Sequence, residues 1–184
     1  MTPRLCTVAL TVLLLASSCR DAGRGDGAVP RRYAYPRVEM PDSAARTYDI
    51  GSVAAHISTS AKVSRDNDRW LTAAYPSLGA TLYLSAMQTT ALPEAVANRR
   101  QRISLNLGGA VSRTERYTSA AGFDIEKVVC ADGVTTPVQF IATRDDVLVS
   151  GSFVISGSVL PADSLRPVVD ILEKEADAIV NSLR

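Results

Sequence analysis

Residues 163–183 read DSLRPVVDILEKEADAIVNSL, and this stretch decides the fold. Its apolar side chains recur at spacings of three and four, which is the period of an amphipathic helix. Asp163 or Ser164 is the predicted cap, and Pro167 falls in the first turn, where its missing amide donor costs little. The positions predicted to face the core are Leu165, Val168, Val169, Leu172, Ala176, Ile179, Val180 and Leu183. The charged positions predicted to face water are Glu173, Lys174, Glu175, Asp177 and Arg184.

Strands are predicted upstream of this helix, because short apolar and β-branched runs alternate with turn residues. The four nearest the helix predict a meander of hairpins with turns at 131–133 and at Asp145-Asp146. These four strands are 110–118, 123–130, 137–143 and 147–155. The earlier predicted strands are 33–39, 48–50, 53–63, 70–75 and 80–87, with a polar break at 65–69.

A second helix is predicted over 92–107. Pro93 suits its first turn, and Glu94 complements the positive end of the helix dipole. Gly108-Gly109 supplies its stop. The positions predicted to face the core are Val96, Ile103 and Leu107. The sequence therefore predicts an α+β fold, in which an antiparallel sheet is covered by two helices including a long C-terminal one.

The first 18 residues predict an export signal. Arg4 precedes an uncharged apolar stretch at 5–16, which spans only about 18 Å of the roughly 30 Å that a bilayer core requires. The small residues Ser17 and Ser18 come directly before Cys19, as a signal peptidase requires. Residues 14–19 resemble a bacterial lipobox, which implies a lipidated Cys19 with a fatty-acyl (palmitate) anchor. The alternative is an ordinary secretory signal that is cut near Ser18.

Three regions follow from this interpretation: a signal peptide at 1–18, a lipidated cysteine with a flexible tether at 19–32, and one α+β domain at 33–184. Removing the signal takes one basic residue, Arg4, and leaves 19 basic and 19 acidic side chains. A neutral chain argues against nucleic acid as a partner, because phosphate contacts need a basic face.

Few residues offer chemistry. His56 is the single histidine, and its place in an alternating strand favours a surface or structural role. Cys130 lies in an apolar run and is predicted to be a small buried side chain without a metal or redox role. Residues 66–68 start like a calcium loop but lack its glycine and distant glutamate, so a turn is the better interpretation. No cofactor is predicted, and the chain is not expected to be an enzyme.

Two groups of residues leave a choice open. Arg99, Arg100 and Arg102 form a basic cluster on the first helix, which fits either a solvated face or a site for a phosphate or an acidic partner. Trp70, Tyr75 and Tyr83 either fill the core or border a groove, and the core is the favoured interpretation.

Five segments resemble the gliding-motility lipoproteins of the GldD type, which are found in Bacteroidota. They are 69–76 (RWLTAAYP), 80–85 (ATLYLS), 136–145 (TPVQFIATRD), 149–153 (VSGSF) and 161–172 (PADSLRPVVDIL). The resemblance covers most of the predicted domain, and its motifs are structural ones. This chain departs from the family pattern in lacking an early-strand cysteine and aromatic residues near the end, as in a divergent member. The topology is also similar to the PsbP/Mog1 type of sandwich.

The resemblance implies a component that supports or assembles the gliding-motility and type IX secretion apparatus of the cell envelope. It would face the periplasm, be held on the lipid bilayer through acylated Cys19, and contact envelope proteins of that machinery. An alternative from the residues is a periplasmic ligand-binding lipoprotein with an apolar pocket beneath the final helix. A further alternative, a hydrolase, would depend on His56 as its base.

Overall fold

A computed structural model describes residues 44–131, 133–156 and 162–184 of the chain. The predicted signal peptide at 1–18, the tether with Cys19 at 19–32, the predicted strand at 33–39 and the start of the domain lie outside the described residues. The strands are β1 Ala45–Ile50, β2 Val53–Ser58, β3 Lys62–Asn67, β4 Trp70–Tyr75, β5 Ala80–Gln88, β6 Arg113–Thr118, β7 Asp124–Val129, β8 Val138–Arg144 and β9 Val147–Ile155. The helices are α1 Leu92–Leu107 and α2 Ala162–Asn181, and a 3-10 turn covers Pro76–Leu78.

The strands form a seven-stranded sheet in the order β3-β4-β5-β9-β8-β7-β6 and a separate hairpin, β1-β2. All neighbouring strands in the sheet are antiparallel. The predicted meander is confirmed, since β6 to β9 follow one another across half of the sheet. The α+β class with two helices, one of them long and C-terminal, is also confirmed.

The hydrophobic core lies on one face of the sheet, beneath α2. This helix contacts β7 and β8 of the sheet and β2 of the hairpin. All eight of the positions predicted to face the core are buried, and Ile171 joins them. Each fully buried Leu or Ile contributes about 1.5–3 kcal/mol. The periodicity of 163–183 thus identifies the face of α2 that organises the core, although the helix begins at Ala162, one or two residues before the predicted cap.

Glu175 does not face water as the sequence predicted, because three elements meet around it. Its side chain lies on α2 and is buried. The hydroxyl of Tyr75 on β4 donates to its Oε1 at 2.8 Å, and the amide of Ser58 on β2 donates to the same oxygen at 3.3 Å. One carboxylate therefore joins the sheet, the helix and the hairpin.

Lys127 is a second charged residue in the interior. Its side chain is only 2% exposed, yet its Nζ lies 2.7 Å from Asp177, 3.1 Å from Glu173 and 3.0 Å from Glu115. Glu173 and Asp177 remain at the border of the wet face, with side chains 20% and 38% exposed, while they pair with Lys127. Charge pairing between β7 and α2 stabilises the last helix from the side opposite to Glu175.

The hairpin corrects the strand that was predicted over 53–63. Val53, Ala55 and Ile57 are buried in alternation as predicted, but the strand ends at Ser58. The chain turns at Thr59-Ser60 and enters the large sheet as β3. The predicted polar break at 65–69 is correspondingly too long, because β3 continues to Asn67.

Helix α1 lies on the other face of the sheet, against β8 and β9. Its ends match the prediction, and Gly108 closes it in the left-handed conformation with φ of 58°. Its predicted packing is wrong, since none of its side chains is buried and Val96, Ile103 and Leu107 are only half-buried. The sheet face beneath α1 is rich in polar side chains, so the helix rests on it without a dry core.

Candidate functional site

A groove of about 380 Å³ lies between α1 and the outer face of the sheet. Its floor is formed by side chains of β5, β8 and β9, and its wall is formed by α1. The groove is lined by Trp70, Tyr83, Ser85, Arg99, Arg102, Ile103, Leu105, Asn106, Gln139, Phe140, Ile141, Ser150, Gly151 and Ser152. Its volume lies in the lower part of the range of about 300–1,000 Å³ that small-molecule sites occupy.

The floor is a polar patch at the centre of the sheet. The strand register places Tyr83, Ser152 and Gln139 side by side in one row. In the next row, Ser85 lies beside Ser150, and their hydroxyl oxygens are 3.0 Å apart. Because every second residue of a strand points to the same face, these side chains all face α1. The floor therefore offers hydroxyl and amide groups.

Amide groups also connect the floor to the wall. The side-chain nitrogen of Asn106 on α1 donates to Oε1 of Gln139 at 2.8 Å. Gln139 is itself 3% exposed, and its nitrogen donates to the carbonyl of Thr136 at 3.4 Å. This chain of hydrogen bonds fixes the position of α1 over β8 at one end of the groove.

Arg99 and Arg102 extend from α1 into the groove. Within residues 44–131, 133–156 and 162–184, neither guanidinium has a carboxylate within salt-bridge distance. Burial, together with the charge of nearby Arg102, lowers the pKa of the Arg99 guanidinium. The guanidinium group of arginine nonetheless remains a cation at neutral pH in proteins. The wall thus presents two neighbouring positive charges that the described residues leave unneutralised.

Arg100 points to the other side of α1 and is paired. Its Nη2 lies 2.7 Å from Glu126 on β7, and Nε of Arg116 on β6 lies 3.0 Å from the same carboxylate. A second cavity, of about 360 Å³, lies on this side of the helix. The predicted basic cluster is therefore divided: one arginine anchors the helix by an ion pair, and two face the groove.

Trp70 and Tyr83 flank the groove on adjacent strands. Trp70 is paired with Ser85 across β4 and β5, which makes it a diagonal neighbour of Tyr83 on the same face. Their side chains are 36% and 41% exposed, so the prediction that they fill the core is wrong. Tyr75, in contrast, is buried and packs against Phe153 in a tilted arrangement with ring centroids 5.8 Å apart.

The other chemistry-bearing residues lie elsewhere. His56 is half-buried on the hairpin, and its amide donates to Oγ of Ser182 at 2.8 Å. Cys130 is a buried free thiol, as predicted. Asn67 accepts from the amide of Arg69 at 2.8 Å, which is the turn predicted for this segment. None of these residues lines the groove, and Cys19 lies outside the described residues.

The alternative interpretation placed a pocket beneath the final helix. Here α2 is seated directly on the core, and a surface groove of about 320 Å³ runs beside its first half, lined in part by Val129, Arg166 and Val169. The described part of the chain contains no group of three or more His, Cys, Asp or Glu side chains arranged to hold a metal ion. It also contains no helix that is both long and apolar enough to cross a bilayer.

Sequence reasoning missed the floor of the groove. Ser150 and Ser152 alternate with apolar residues in β9, and Ser85 has the same setting in β5. Polar side chains at every second position of central strands are the signal that one face of the sheet is wet. This signal was present in the sequence. The grouping of Ser85 with Ser150 could be recognised only from the pairing of β5 with β9.

Comparison with known proteins places the chain in no family, since no family model and no curated protein matches it. A crystal structure of a protein from Bacteroides thetaiotaomicron VPI-5482 is similar over 76% of this chain, with 12% identity and a TM-score of 0.41. The chain spans about half of that protein, 47% of its length.

Proposed function

We propose that this chain is a lipid-anchored binding protein of the bacterial cell envelope. The observation that carries the proposal is the groove beneath α1. Two arginines that the described residues leave unneutralised, two partly exposed aromatic rings and a row of hydroxyl and amide groups converge there. A cavity with a few convergent polar groups is the usual form of a small-molecule site. The rigid sheet supplies the floor, so the position of these groups does not depend on a loop.

Trp70 provides a direct test of binding, because it is the only tryptophan in the chain and lies at the rim of the groove. Protein purified from its native envelope would be extracted, and the released small molecules identified by mass spectrometry. We expect a specific compound that changes Trp70 fluorescence when it is added back, with saturation at one equivalent. If neither the extract nor a broad metabolite library changes the fluorescence, the binding function is wrong.

The anchor is the second part of the proposal. A lipid on Cys19 would hold the domain at a bilayer surface, since each buried methylene contributes about 0.8 kcal/mol. Mass spectrometry of the native protein is expected to find acyl chains on Cys19, and Cys19→Ser is expected to release the protein from membranes. Native protein without acyl mass would contradict the anchor and leave the groove unaffected.

A second candidate function is support of the gliding-motility and type IX secretion apparatus, as the GldD-type resemblance implies. Four of the five resembling segments, 69–76, 80–85, 136–145 and 149–153, contain residues that line the groove. Deletion of the gene is expected to impair export of type IX substrates, and unaffected export would reject this candidate.

A further inference from the structure

The charge of the groove points to the class of its ligand. Arg99 and Arg102 lie three residues apart on α1, and residues at this spacing are neighbours on one helix face. Holding two like charges together is unfavourable, more so where one of them is half-buried. In the described part of the chain no acidic side chain forms a salt bridge with this pair. Glu126, in contrast, forms salt bridges with Arg100 of α1 and with Arg116 of β6 on the other side of the helix.

The opposite side of the groove is aromatic. Trp70 and Tyr83 present partly exposed rings within reach of one another across β4 and β5. Such rings stack on flat unsaturated groups or on the apolar face of a sugar ring, and they lose little conformational entropy when they bind. Between the rings and the arginines lies the hydroxyl pair of Ser85 and Ser150.

We propose that the groove binds a small anionic molecule whose carboxylate or phosphate group contacts Arg99 and Arg102 while its ring rests on Trp70 and Tyr83. Guanidinium groups match the geometry of both anions through paired N–H donors. The hydroxyls of Ser85 and Ser150 and the amide of Asn106 then accept or donate to polar groups on the ring. This inference rests on the proposed binding function and specifies the chemical class of the ligand for the same site.

The test uses the purified full-length protein with four anionic probes and two neutral counterparts, and follows Trp70 fluorescence. Phenyl phosphate and benzoate carry an aromatic ring, whereas glucose 6-phosphate and glucuronate carry a sugar ring. Benzamide is the neutral counterpart with an aromatic ring, and glucose is the neutral counterpart with a sugar ring. We expect at least one anionic probe to bind at least tenfold more tightly than the neutral compound with the same ring, and its affinity to fall as salt increases.

Variants of the two arginines locate the contact. Arg99→Gln or Arg102→Gln alone removes one charged hydrogen-bonding partner and is expected to weaken binding of the anionic probe about tenfold. The double variant is expected to weaken binding about a hundredfold. The matched control is Arg116→Gln, which removes a positive charge from β6 at the second cavity, on the other side of α1 from the groove. This variant is expected to bind the anionic probe as the wild type does. Lysine at both positions is expected to restore part of the affinity, because the charge returns without the paired donors.

Three results would overturn the proposal. Equal affinity in the wild type and in the double glutamine variant, with the fold intact by circular dichroism, would overturn the proposal. Tighter binding of the neutral probes would overturn it as well, but would leave the binding function standing. Loss of affinity in Arg116→Gln equal to that in the groove variants would show a nonspecific charge effect and would also overturn it. The phosphate and carboxylate probes, compared on one ring, decide between the two anions.

Discussion

Gly151 lies at the centre of β9, directly opposite Phe140 on β8. The Phe140 ring covers it so closely that a Cβ at position 151 would overlap the ring. The glycine is therefore required by close approach of a side chain, and not by an unusual backbone angle. The aromatic ring takes the place that the side chain of residue 151 would have filled.

Gly151→Ala is expected to lower the free energy of unfolding by about 1–3 kcal/mol, because the ring must leave its rotamer. Urea denaturation would measure the loss. Adding Phe140→Leu to Gly151→Ala is expected to cost less than the sum of the two single changes, since the smaller side chain makes room. Additive costs would contradict the contact.

Lys127 allows a prediction of how removal of one buried charge changes the free energy of unfolding. Lys127→Met keeps the volume but leaves Glu115, Glu173 and Asp177 close together, so we expect a loss of about 3 kcal/mol in the free energy of unfolding at pH 7. The loss is expected to shrink in acid, because Lys127 lowers the pKa of the Glu115 carboxyl by a hydrogen bond and that stabilisation disappears once Glu115 is protonated. Lys174→Met, at an exposed position of α2, is the control and is expected to change stability by less than about 0.5 kcal/mol. An equal effect of both changes would contradict the role of Lys127.

Helix α2 carries the charges that make stability depend on pH. Burial, together with the charge and hydrogen bonding of Glu175, raises the pKa of Tyr75. Burial alone would lower the pKa of Lys127, but hydrogen bonds to Asp177, Glu115 and Glu173 outweigh it and raise the pKa. In the folded state both groups therefore hold their protons more tightly than they do in the unfolded chain.

Between pH 7 and about pH 9 the free energy of unfolding is therefore expected to be level. It is expected to fall above about pH 10, where the unfolded chain loses these protons first. In Tyr75→Phe the phenol is absent, so the decline with pH is expected to be shallower. At neutral pH the same change is expected to cost about 1–3 kcal/mol, because it takes a donor from buried Glu175. Denaturation curves between pH 7 and 11 would measure both effects, and identical slopes in the two proteins would contradict the assignment.

The two helices differ in how firmly they are held. Helix α2 buries one whole face, whereas α1 buries no side chain completely. Local opening needs less free energy where few apolar contacts are lost. Amide hydrogens of α1 are therefore expected to exchange with solvent faster than those of α2 by a factor of at least about ten. Hydrogen exchange followed by mass spectrometry would measure this, and slower exchange in α1 would contradict it.

Across the whole molecule, periodicity predicted the elements better than their packing. The ends of α1 and of β9 were predicted from sequence, because a glycine stop and a hairpin turn mark them. The end of β2 was not predicted, because Thr59 and Ser60 continue the alternating sequence pattern of residues 53–58. The strand nevertheless ends at Ser58. The burial of Lys127 and Glu175 could not be predicted either. It depends on partners from α2 and β6 for Lys127 and on partners from β4 and β2 for Glu175.

The candidate site was predicted only in part. The arginine cluster and the aromatic residues were recognised in the sequence, and a site for an anion was one of the stated alternatives. Their joint position was not recognised, because Arg99 and Arg102 meet Trp70 and Tyr83 only through the packing of α1 on the sheet. A helix that rests on a polar face has weak periodicity, so its contact side is difficult to predict.

The order of strands in the sheet has a consequence for the newly made polypeptide. Strands β5 and β9 are central neighbours, yet on the order of 60 residues of chain separate them. During translation β5 leaves the ribosome well before β9 has been made, so its β9-facing edge has no native partner for that interval. Until β9 is available, the unpaired edge of β5 is a template on which a strand from another chain can pair.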